Sequence, residues 1–357
     1  MISRNFRVTS AFALFASMML AIAGCGAAGS TATATSQVKG KIVTIAAVPS
    51  ADLAGVYIAQ DDGFFAKEGL QVKLVSVPSS RAIIAAQSAG KIDLSAGAYT
   101  PYIPAQAAGQ KFHILAEGSI MTTGTRLLLV PRGSSLTKVS QLAGKTIGMN
   151  ATNSIGTLLV RAMLAQNGVN PDSVRLVTDQ QGFKTMAAKL ASGAWDAAFF
   201  GEPFGTQAEE QYGETPILDL DQGATSSLPV SGYIVTQSWL DKNQQTAAAF
   251  VRAIEAAQLD ADSNPNVARD ALAMSDALPR IVTDVMAIPG FPIGAVSFTR
   301  IQQEALDMIQ FGLMDKKYTS VVDSGALVKA MIGLGSWDLL GRCGWDCICT
   351  LRLDRRN

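Results

Sequence analysis

Residues 42–75 read IVTIAAVPSADLAGVYIAQDDGFFAKEGLQVKLV, and their pattern indicates the fold class. The apolar run IVTIAAV predicts a strand. The segment after it places Leu53, Val56 and Tyr57 on one helix face, with Gly63 as the stop, and VKLVSV predicts a second strand. Strand, helix and strand in this order indicate an α/β fold with a mainly parallel sheet.

The same alternation begins again after Pro131, which indicates a second α/β half. KTIGMN predicts a strand, and SIGTLLVRAMLAQNG predicts a helix that Asn153 or Ser154 caps and Gly168 ends. A faint repeat links the halves, because SAGKIDLSAGAYTP and ASGAWDAAFFGEP share a Gly, an Asp three residues later and a Pro. Any two strand–helix units look somewhat alike, so this repeat only supports the prediction of two similar lobes.

The N-terminus has the pattern of an export signal. Arg4 and Arg7 precede an uncharged run from Ala11 to Ala23, which is shorter than the ~20 residues of a membrane span. Ile22-Ala23-Gly24-Cys25 resembles the lipobox of bacterial lipoproteins, and this implies that Cys25 is lipidated and anchors the protein to the membrane. The alternative is an ordinary signal peptide with an incidental cysteine. We expect a signal peptide at 1–24 and a flexible tether at 25–40.

The remaining cysteines crowd the C-terminal end. Cys343, Cys347 and Cys349 match no zinc-binding spacing, and the body between Cys25 and Cys343 has no cysteine and therefore no disulfide. The composition changes abruptly after Ile332. We interpret residues 333–357 as an aberrant or unstructured tail; a native but poorly packed tail is the alternative.

Composition and motifs exclude several function classes. The formal net charge is +0 and no basic cluster occurs, which argues against nucleic-acid binding. The segment AGKTIG lacks the first glycine of a phosphate-binding loop, since Val139 stands in its place. HExxH and GxSxG are absent, and the single histidine, His113, lies in an apolar strand. We expect no catalytic residue, no metal and no cofactor.

Candidate ligand-binding residues lie in the loops that follow the strands, where open α/β sheets bind ligands. These loops are rich in small polar residues, and several begin a helix whose free N–H groups favour an anion. Each polar residue could alternatively be only a helix cap. The predicted binding residues are Ser50, Asp52, Ser79, Ser80, Arg81, Gly97, Ala98, Tyr99, Thr100, Asn153, Ser154, Gly156, Thr157 and Glu202.

Residues 59–72 carry a resemblance to a known family. Ala59, Gly63-Phe64-Phe65, Glu68-Gly69-Leu70 and Val72 resemble the opening motif of ABC-transporter solute-binding proteins of the nitrate/sulfonate/taurine type, which also share their fold with enzymes of thiamine-pyrimidine synthesis. LAGKTIGMN, GVNPDSVRLV and LASGAWDAAFFGEPF resemble later segments of the same family. The resemblance covers about Lys41 to Ile332.

The resemblance implies a two-lobed periplasmic-binding-protein-like fold of type II, with two crossover segments and a ligand cleft between the lobes. We place the crossings near Leu128–Arg132 and Gly232–Val235. Lobe one is then 41–130 plus 233–332, and lobe two is 131–232. Closure of the lobes about the crossings would bury the ligand.

The function implied is capture of a small polar organic solute outside the cytoplasm and its delivery to an ABC permease with its ATPase. We expect a monomer that is not an enzyme. The alternatives are a binder of a thiamine-pyrimidine-like heterocycle, a sensor that does not transport, and a pyrimidine-precursor synthase. The synthases use a cysteine-rich motif and a histidine that the body of this sequence lacks.

The charges near the predicted cleft leave the ligand open. Arg81 and the helix start at Asn153–Thr157, which we place opposite each other, favour an oxyanion such as a sulfonate or nitrate. Glu202 and Asp52 favour an amine, as in taurine or an aminopyrimidine. Together they indicate a zwitterionic or neutral organic ligand.

Overall fold

A computed structural model describes residues 38–77, 80–275 and 278–332, without the side chains of Ser80 and Arg81. The predicted signal peptide, lipidated cysteine and C-terminal tail, and all but the end of the predicted tether, lie outside these ranges. No helix in the described ranges is long and apolar enough to cross a bilayer.

Lobe one begins with alternating strands and helices, as the sequence predicts. A short 3₁₀ turn, Ala51–Leu53, precedes the first helix. The elements are β1 (Lys41–Ala47), α1 (Ala54–Asp61), α2 (Phe64–Lys67), β2 (Leu70–Ser76), α3 (Ser80–Ser88), β3 (Leu94–Gly97), α4 (Tyr102–Ala107) and β4 (Phe112–Ile120).

Lobe two follows with the same alternation. Its elements are β5 (Arg126–Val130), β6 (Thr146–Met149), α5 (Ile155–Gln166), β7 (Arg175–Thr178), α6 (Phe183–Ala191), β8 (Ala197–Gly201), α7 (Phe204–Tyr212) and β9 (Thr215–Asp219). The chain then returns to lobe one through β10 (Pro229–Thr236) and α8 (Gln237–Leu240). Six helices complete the described chain: α9 (Gln244–Ser263), α10 (Pro265–Ser275), α11 (Arg280–Thr283), α12 (Phe298–Gln310), α13 (Thr319–Asp323) and α14 (Ala326–Ile332).

The strands form two five-stranded sheets with matching topology. Their orders are β2-β1-β3-β10-β4 and β7-β6-β8-β5-β9, and only the fourth strand of each order runs antiparallel to the rest. The predicted α/β fold with two lobes and mainly parallel sheets is confirmed. Each antiparallel strand directly follows a passage of the chain between the lobes.

The faint sequence repeat corresponds to a repeated hydrogen-bond pattern. Asp93 accepts from the Thr44 amide at 2.8 Å and donates its own amide to the Thr44 carbonyl at 3.0 Å. Asp196 and Thr146 make the same two bonds in lobe two, at 2.8 and 2.9 Å. The repeated aspartate therefore ties the start of β3 to β1 in lobe one and the start of β8 to β6 in lobe two.

The GFFAKEGL segment has the structural role that its residue types suggest. Phe65 is buried and stacks on Phe250 of α9 with ring centroids 5.6 Å apart. Gly63 and Gly69 have φ of +70° and +78°, and a Cβ at Gly69 would lie 2.6 Å from the Val38 carbonyl oxygen. Glycine is required at Gly69 by both conformation and space.

The predicted crossings are misplaced. Leu128–Arg132 overlaps β5, which pairs with β8 and β9 of lobe two, and Gly232–Val235 lies inside β10 of lobe one. The chain passes between the sheets at 121–125 and 220–228, where the Met121 amide donates to the Leu228 carbonyl at 2.9 Å. Pro131 marks the end of a strand, and strand pairing, which periodicity does not report, decides the lobe boundary.

Candidate ligand-binding cleft

A cleft of about 710 Å³ lies where the strands of both sheets end. Residues after β1 and β3 and on α3 and α4 line it from lobe one, and residues after β6, β7 and β8 line it from lobe two. The carboxyl ends of strands are where open α/β sheets bind ligands, and the volume suits a small organic molecule. This cleft is therefore the candidate site.

The structure brings most of the predicted site residues together. Eight of them line the cleft: Ser50, Asp52, Gly97, Ala98, Thr100, Asn153, Ser154 and Glu202. Ser79 lies outside the described residues, and the side chains of Ser80 and Arg81 are not described. The predicted pairing of Arg81 with the start of α5 stays a prediction.

Three predicted residues do not line the cleft. Tyr99 is buried, and its hydroxyl donates to the Ser231 carbonyl at 2.9 Å. Gly156 packs against the ring of Phe199, and the Thr157 hydroxyl donates to the Ala151 carbonyl at 3.3 Å. Tyr99 lies in the segment after β3, and Gly156 and Thr157 lie in the first turn of α5, but their side chains or Cα atoms face the interior and serve packing.

Ser154, one of the two residues predicted for this role, is the N-cap of α5 in the structure. Its Oγ accepts from the Thr157 amide at 3.3 Å, as the capping alternative requires. Asn153, the other candidate, adopts φ of +52°, which turns the chain into the helix. Both residues nevertheless line the cleft, so capping and exposure to a ligand coincide here.

A buried ion pair joins the lobes at the cleft. Nη2 of Arg126, on β5, lies 2.8 and 2.6 Å from the two carboxylate oxygens of Asp52, which follows β1. Ser119 and Ser50 also donate to Asp52, at 2.7 and 3.0 Å. With four such contacts, Asp52 is saturated and neutralised by Arg126. The predicted amine-binding role of Asp52 is therefore not supported by its surroundings.

Backbone contacts reinforce this junction. The Ala51 amide of lobe one donates to the Glu202 carbonyl of lobe two at 2.9 Å, and the Glu202 amide donates to the Thr125 carbonyl at 3.2 Å. The loop after β1, the crossing at 121–125 and the loop after β8 thus meet at one place. The described structure holds the lobes in contact across the cleft.

Among the acidic side chains that line the described cleft, Glu202 is the one whose pKa is raised. It is 3% exposed, and its carboxylate accepts from the Thr206 amide and hydroxyl at 3.3 and 3.0 Å. Burial raises the pKa of Glu202 to about 7, against the lowering effect of those hydrogen bonds and of the Arg126 charge. Its charge therefore changes near neutral pH.

Asp179, at the end of β7, also lines the cleft but is fully engaged. It accepts from the Gln181 amide at 2.9 Å, the Thr185 hydroxyl at 2.7 Å and the Lys189 ammonium at 2.9 Å. Burial alone would raise the pKa of Asp179, but these contacts lower it below its ordinary value. Asp179 is therefore a fixed anion that orders the start of α6.

Two residues that line the cleft each carry a buried polar atom with no hydrogen-bond partner among the described residues. The atoms are Oγ1 of Thr100, from lobe one, and Oδ1 of Asn150, from lobe two. Buried polar groups are normally paired, so each of these atoms lacks a partner that a folded protein normally supplies. Sequence reasoning missed Asn150 and Arg126, although Asn150 ends the predicted strand KTIGMN.

Apolar side chains form the remaining walls. They come from both lobes and from the segment after α12: Ile84, Pro101, Pro104, Ile155, Phe183, Phe199 and Leu313. Apolar walls with a few well-placed polar groups are typical of small-molecule sites. Within the described ranges, no three His, Cys, Asp or Glu side chains gather in a way that could hold a metal ion.

Comparison with known proteins assigns the family. The profile of the NMT1/THI5 like family matches residues 50–268, more than half of the chain. The chain belongs to the NMT1/THI5 like family. The resemblance that the motifs indicate is thereby confirmed at the level of the family, and the match includes the loops of both lobes that form the cleft.

Curated relatives of this NMT1/THI5 like protein include transport proteins and an enzyme. It is 30% identical to the bicarbonate transport ATP-binding protein CmpC of Synechocystis over 61% of the chain, and 23% identical to the putative binding protein YtlA of Bacillus subtilis over 57%. It is 25% identical to 4-amino-5-hydroxymethyl-2-methylpyrimidine phosphate synthase of Uromyces fabae over 56%. These matches span 35%, 61% and 60% of the relatives' own lengths.

Solved structures agree on the fold. The alkanesulfonate-binding protein SsuA of Xanthomonas axonopodis, bound to MOPS, superposes with a TM-score of 0.66 at 17% identity, covering 78% of this chain and 96% of SsuA. The periplasmic nitrate-binding protein NrtA of Synechocystis gives 0.66 at 18%, covering 85% and 91%. The Candida albicans CA3427 product, described as having the generic periplasmic binding protein fold, gives 0.67 at 14%, covering 82% and 96%. The predicted fold class is confirmed.

Proposed function

We propose that the protein is the solute-binding component of an ABC importer and captures a small polar organic solute of the sulfonate, taurine or nitrate type. The observation that carries the proposal is the cleft itself. It lies between two lobes and has walls from both, and these walls include Thr100 and Asn150, whose buried Oγ1 and Oδ1 lack a partner among the described residues. A ligand that contacts both walls would link the lobes and stabilise the closed state.

A binding role fits the cleft better than catalysis. His113, the sole histidine of the sequence, is buried in β4 rather than placed among the cleft-lining residues, and burial lowers its pKa. SsuA and NrtA are binding proteins by description, although one curated relative is a synthase. The few polar groups of the cleft are arranged to hold a ligand, and we assign none of them as a nucleophile with its base.

Partners and location follow from the same proposal. CmpC carries the description of a transport ATP-binding protein, which supports an ABC permease and ATPase as partners here. SsuA and NrtA are described as binding proteins, the second as periplasmic, which supports a place outside the cytoplasm. Lipidation of Cys25 would anchor the protein there; its support is the lipobox-like sequence Ile22-Ala23-Gly24-Cys25.

A thermal-shift screen of the full chain tests the proposed function. Sulfonates, taurine, nitrate and pyrimidines are the compounds to screen, because a ligand at a hundredfold excess over its Kd stabilises the folded protein by about 2.7 kcal/mol. We expect Ala98→Trp, which fills the cleft, to remove the shift, and Ala89→Trp, on an exposed turn, to keep it. A shift that survives Ala98→Trp would place binding elsewhere and contradict the proposal.

A further inference from the structure

The charged side chains that line the cleft differ in whether a group of opposite charge is paired with them. Among the described residues they are Asp52, Arg126, Asp179 and Glu202. Arg126 is taken by Asp52 at 2.6 Å, and Asp179 is paired with Lys189 at 2.9 Å. Glu202 is the one carboxylate of this described set that no salt bridge joins to a described cation.

The Glu202 carboxylate also keeps hydrogen-bonding capacity. An ionised carboxylate offers about four lone-pair directions, and Thr206 fills one on each oxygen. The group is 3% exposed, so water contributes little to the rest. A buried carboxylate in this position is stabilised by a ligand that donates hydrogen bonds and carries positive charge.

Two other residues of the cleft walls carry a polar atom that can accept a hydrogen bond from an N–H group and lacks a partner among the described residues. Asn150 Oδ1 accepts hydrogen bonds, and the Thr100 hydroxyl both accepts and donates. Thr100 is 1% exposed and comes from lobe one, opposite Asn150 and Glu202 of lobe two. Phe183 and Phe199 supply flat apolar surface for the carbon part of a ligand.

We infer that the cleft selects ligands that carry an amino group and that Glu202 is the residue that recognises it. The ligand class is a small organic molecule with a protonated amine or an amino-substituted ring. The inference rests on the proposed function, since it concerns the ligand of the same cleft.

The inference predicts the direction in which pH changes ligand affinity. Two charged groups act on Glu202. Arg126, on β5, is neutralised by Asp52, and Glu209 lies on α7, the helix that follows Glu202. Burial raises the pKa of Glu202 to about 7, so its ionised fraction rises roughly tenfold between pH 6 and pH 8. A cationic amine then binds more tightly at pH 8 than at pH 6, whereas an oxyanion binds more tightly at pH 6.

Calorimetric titration with matched probes tests the inference. Taurine and ethanesulfonate differ only by the amino group, and aminopyrimidine and pyrimidine form a second such pair. We expect the amino member of at least one pair to bind about tenfold or more tightly than its partner, the scale of a hydrogen bond to a charged group. We expect Glu202→Gln to remove this preference and Glu209→Gln, outside the cleft lining, to keep it. Circular dichroism of each variant confirms folding.

The outcomes separate the inference from the proposed function. If ethanesulfonate binds as tightly as taurine, binds better at pH 6 and keeps its affinity in the Glu202→Gln variant, the inference is overturned while the proposed function stands. If the amino preference persists in Glu202→Gln, Glu202 is not the recognising residue and the inference is likewise overturned. If none of the four probes binds, the inference and the sulfonate-type binding role both fail.

Discussion

The Asp52–Arg126 pair shows how one ion pair can hold two lobes together. Their side chains are 10% and 4% exposed, so both charges have lost most of their hydration. Such a pair stabilises a fold only when the remaining donors and acceptors are satisfied, because desolvation opposes the attraction between the charges. Ser119 and Ser50 satisfy Asp52, and the Thr125 carbonyl accepts from Arg126 Nη1 at 2.8 Å.

Removal of one charge should therefore cost far more than the pair itself contributes. We expect Asp52→Asn to lower the free energy of unfolding by about 3–5 kcal/mol, because Arg126 stays buried without its counterion. Urea denaturation measures this. The double variant Asp52→Asn/Arg126→Met should recover much of the loss, and Arg280→Ala, in an exposed ion pair, should leave the midpoint almost unchanged. A loss below about 1 kcal/mol for Asp52→Asn would contradict this account.

Sequence reasoning located the loops of the site better than the direction of individual side chains. Ser50, Thr100 and Glu202 were found because polar residues at strand ends meet in one crevice. Arg126 was missed because it lies at the start of a strand, where the rule does not apply. Asp52 was found, but its partner comes from the other lobe, and pairing over such a distance leaves no local pattern.

At the scale of elements, the packing of α5 on β8 includes a very close contact between Gly156 and Phe199. Gly156 lets the ring of Phe199 approach so closely that a Cβ would lie 2.4 Å from a ring carbon. The same helix presents Ser154 and Ile155 to the cleft, so its distance from β8 also sets the shape of the site. Helix periodicity alone predicted α5 but gave no reason for a glycine in its first turn.

Gly156→Ala should reverse the usual effect of this substitution. In a free helix it stabilises by about 0.5–1 kcal/mol, but here the added methyl group forces α5 away from Phe199, and we expect a loss of about 1–3 kcal/mol. Urea denaturation gives the value. In a Phe199→Leu background the cost should largely disappear, because the clashing ring is gone. An equal cost in both backgrounds would show that the ring is not its cause.

In the whole molecule, one large apolar cluster spans both lobes, and other clusters lie within a single lobe. A continuous cluster of buried side chains includes Tyr102 of lobe one, Leu158 and Phe199 of lobe two, and Met308 and Leu327 of the C-terminal helices. Helix α12 contacts both β10 and α5, so the helices assigned from sequence to lobe one also touch lobe two. Alternating strands and helices predicted the two lobes, but a core shared between them depends on long-range packing that periodicity does not encode.

This shared core predicts a single cooperative unfolding transition. Trp195 is buried in lobe two, and Trp239 of lobe one donates its indole N–H to Asp93 at 2.7 Å, so each reports on one lobe. Two variants isolate the reporters: each replaces Trp337 and Trp345 by Phe, together with either Trp195 or Trp239. We expect the two fluorescence midpoints in urea to coincide, after correction for each variant's own stability, and to match the midpoint from far-ultraviolet circular dichroism. The reason is that neither lobe can lose its part of the shared cluster without exposing the part that belongs to the other lobe. Separate midpoints, with one lobe unfolded while the other keeps its signal, would show that the crossings merely tether two independent domains.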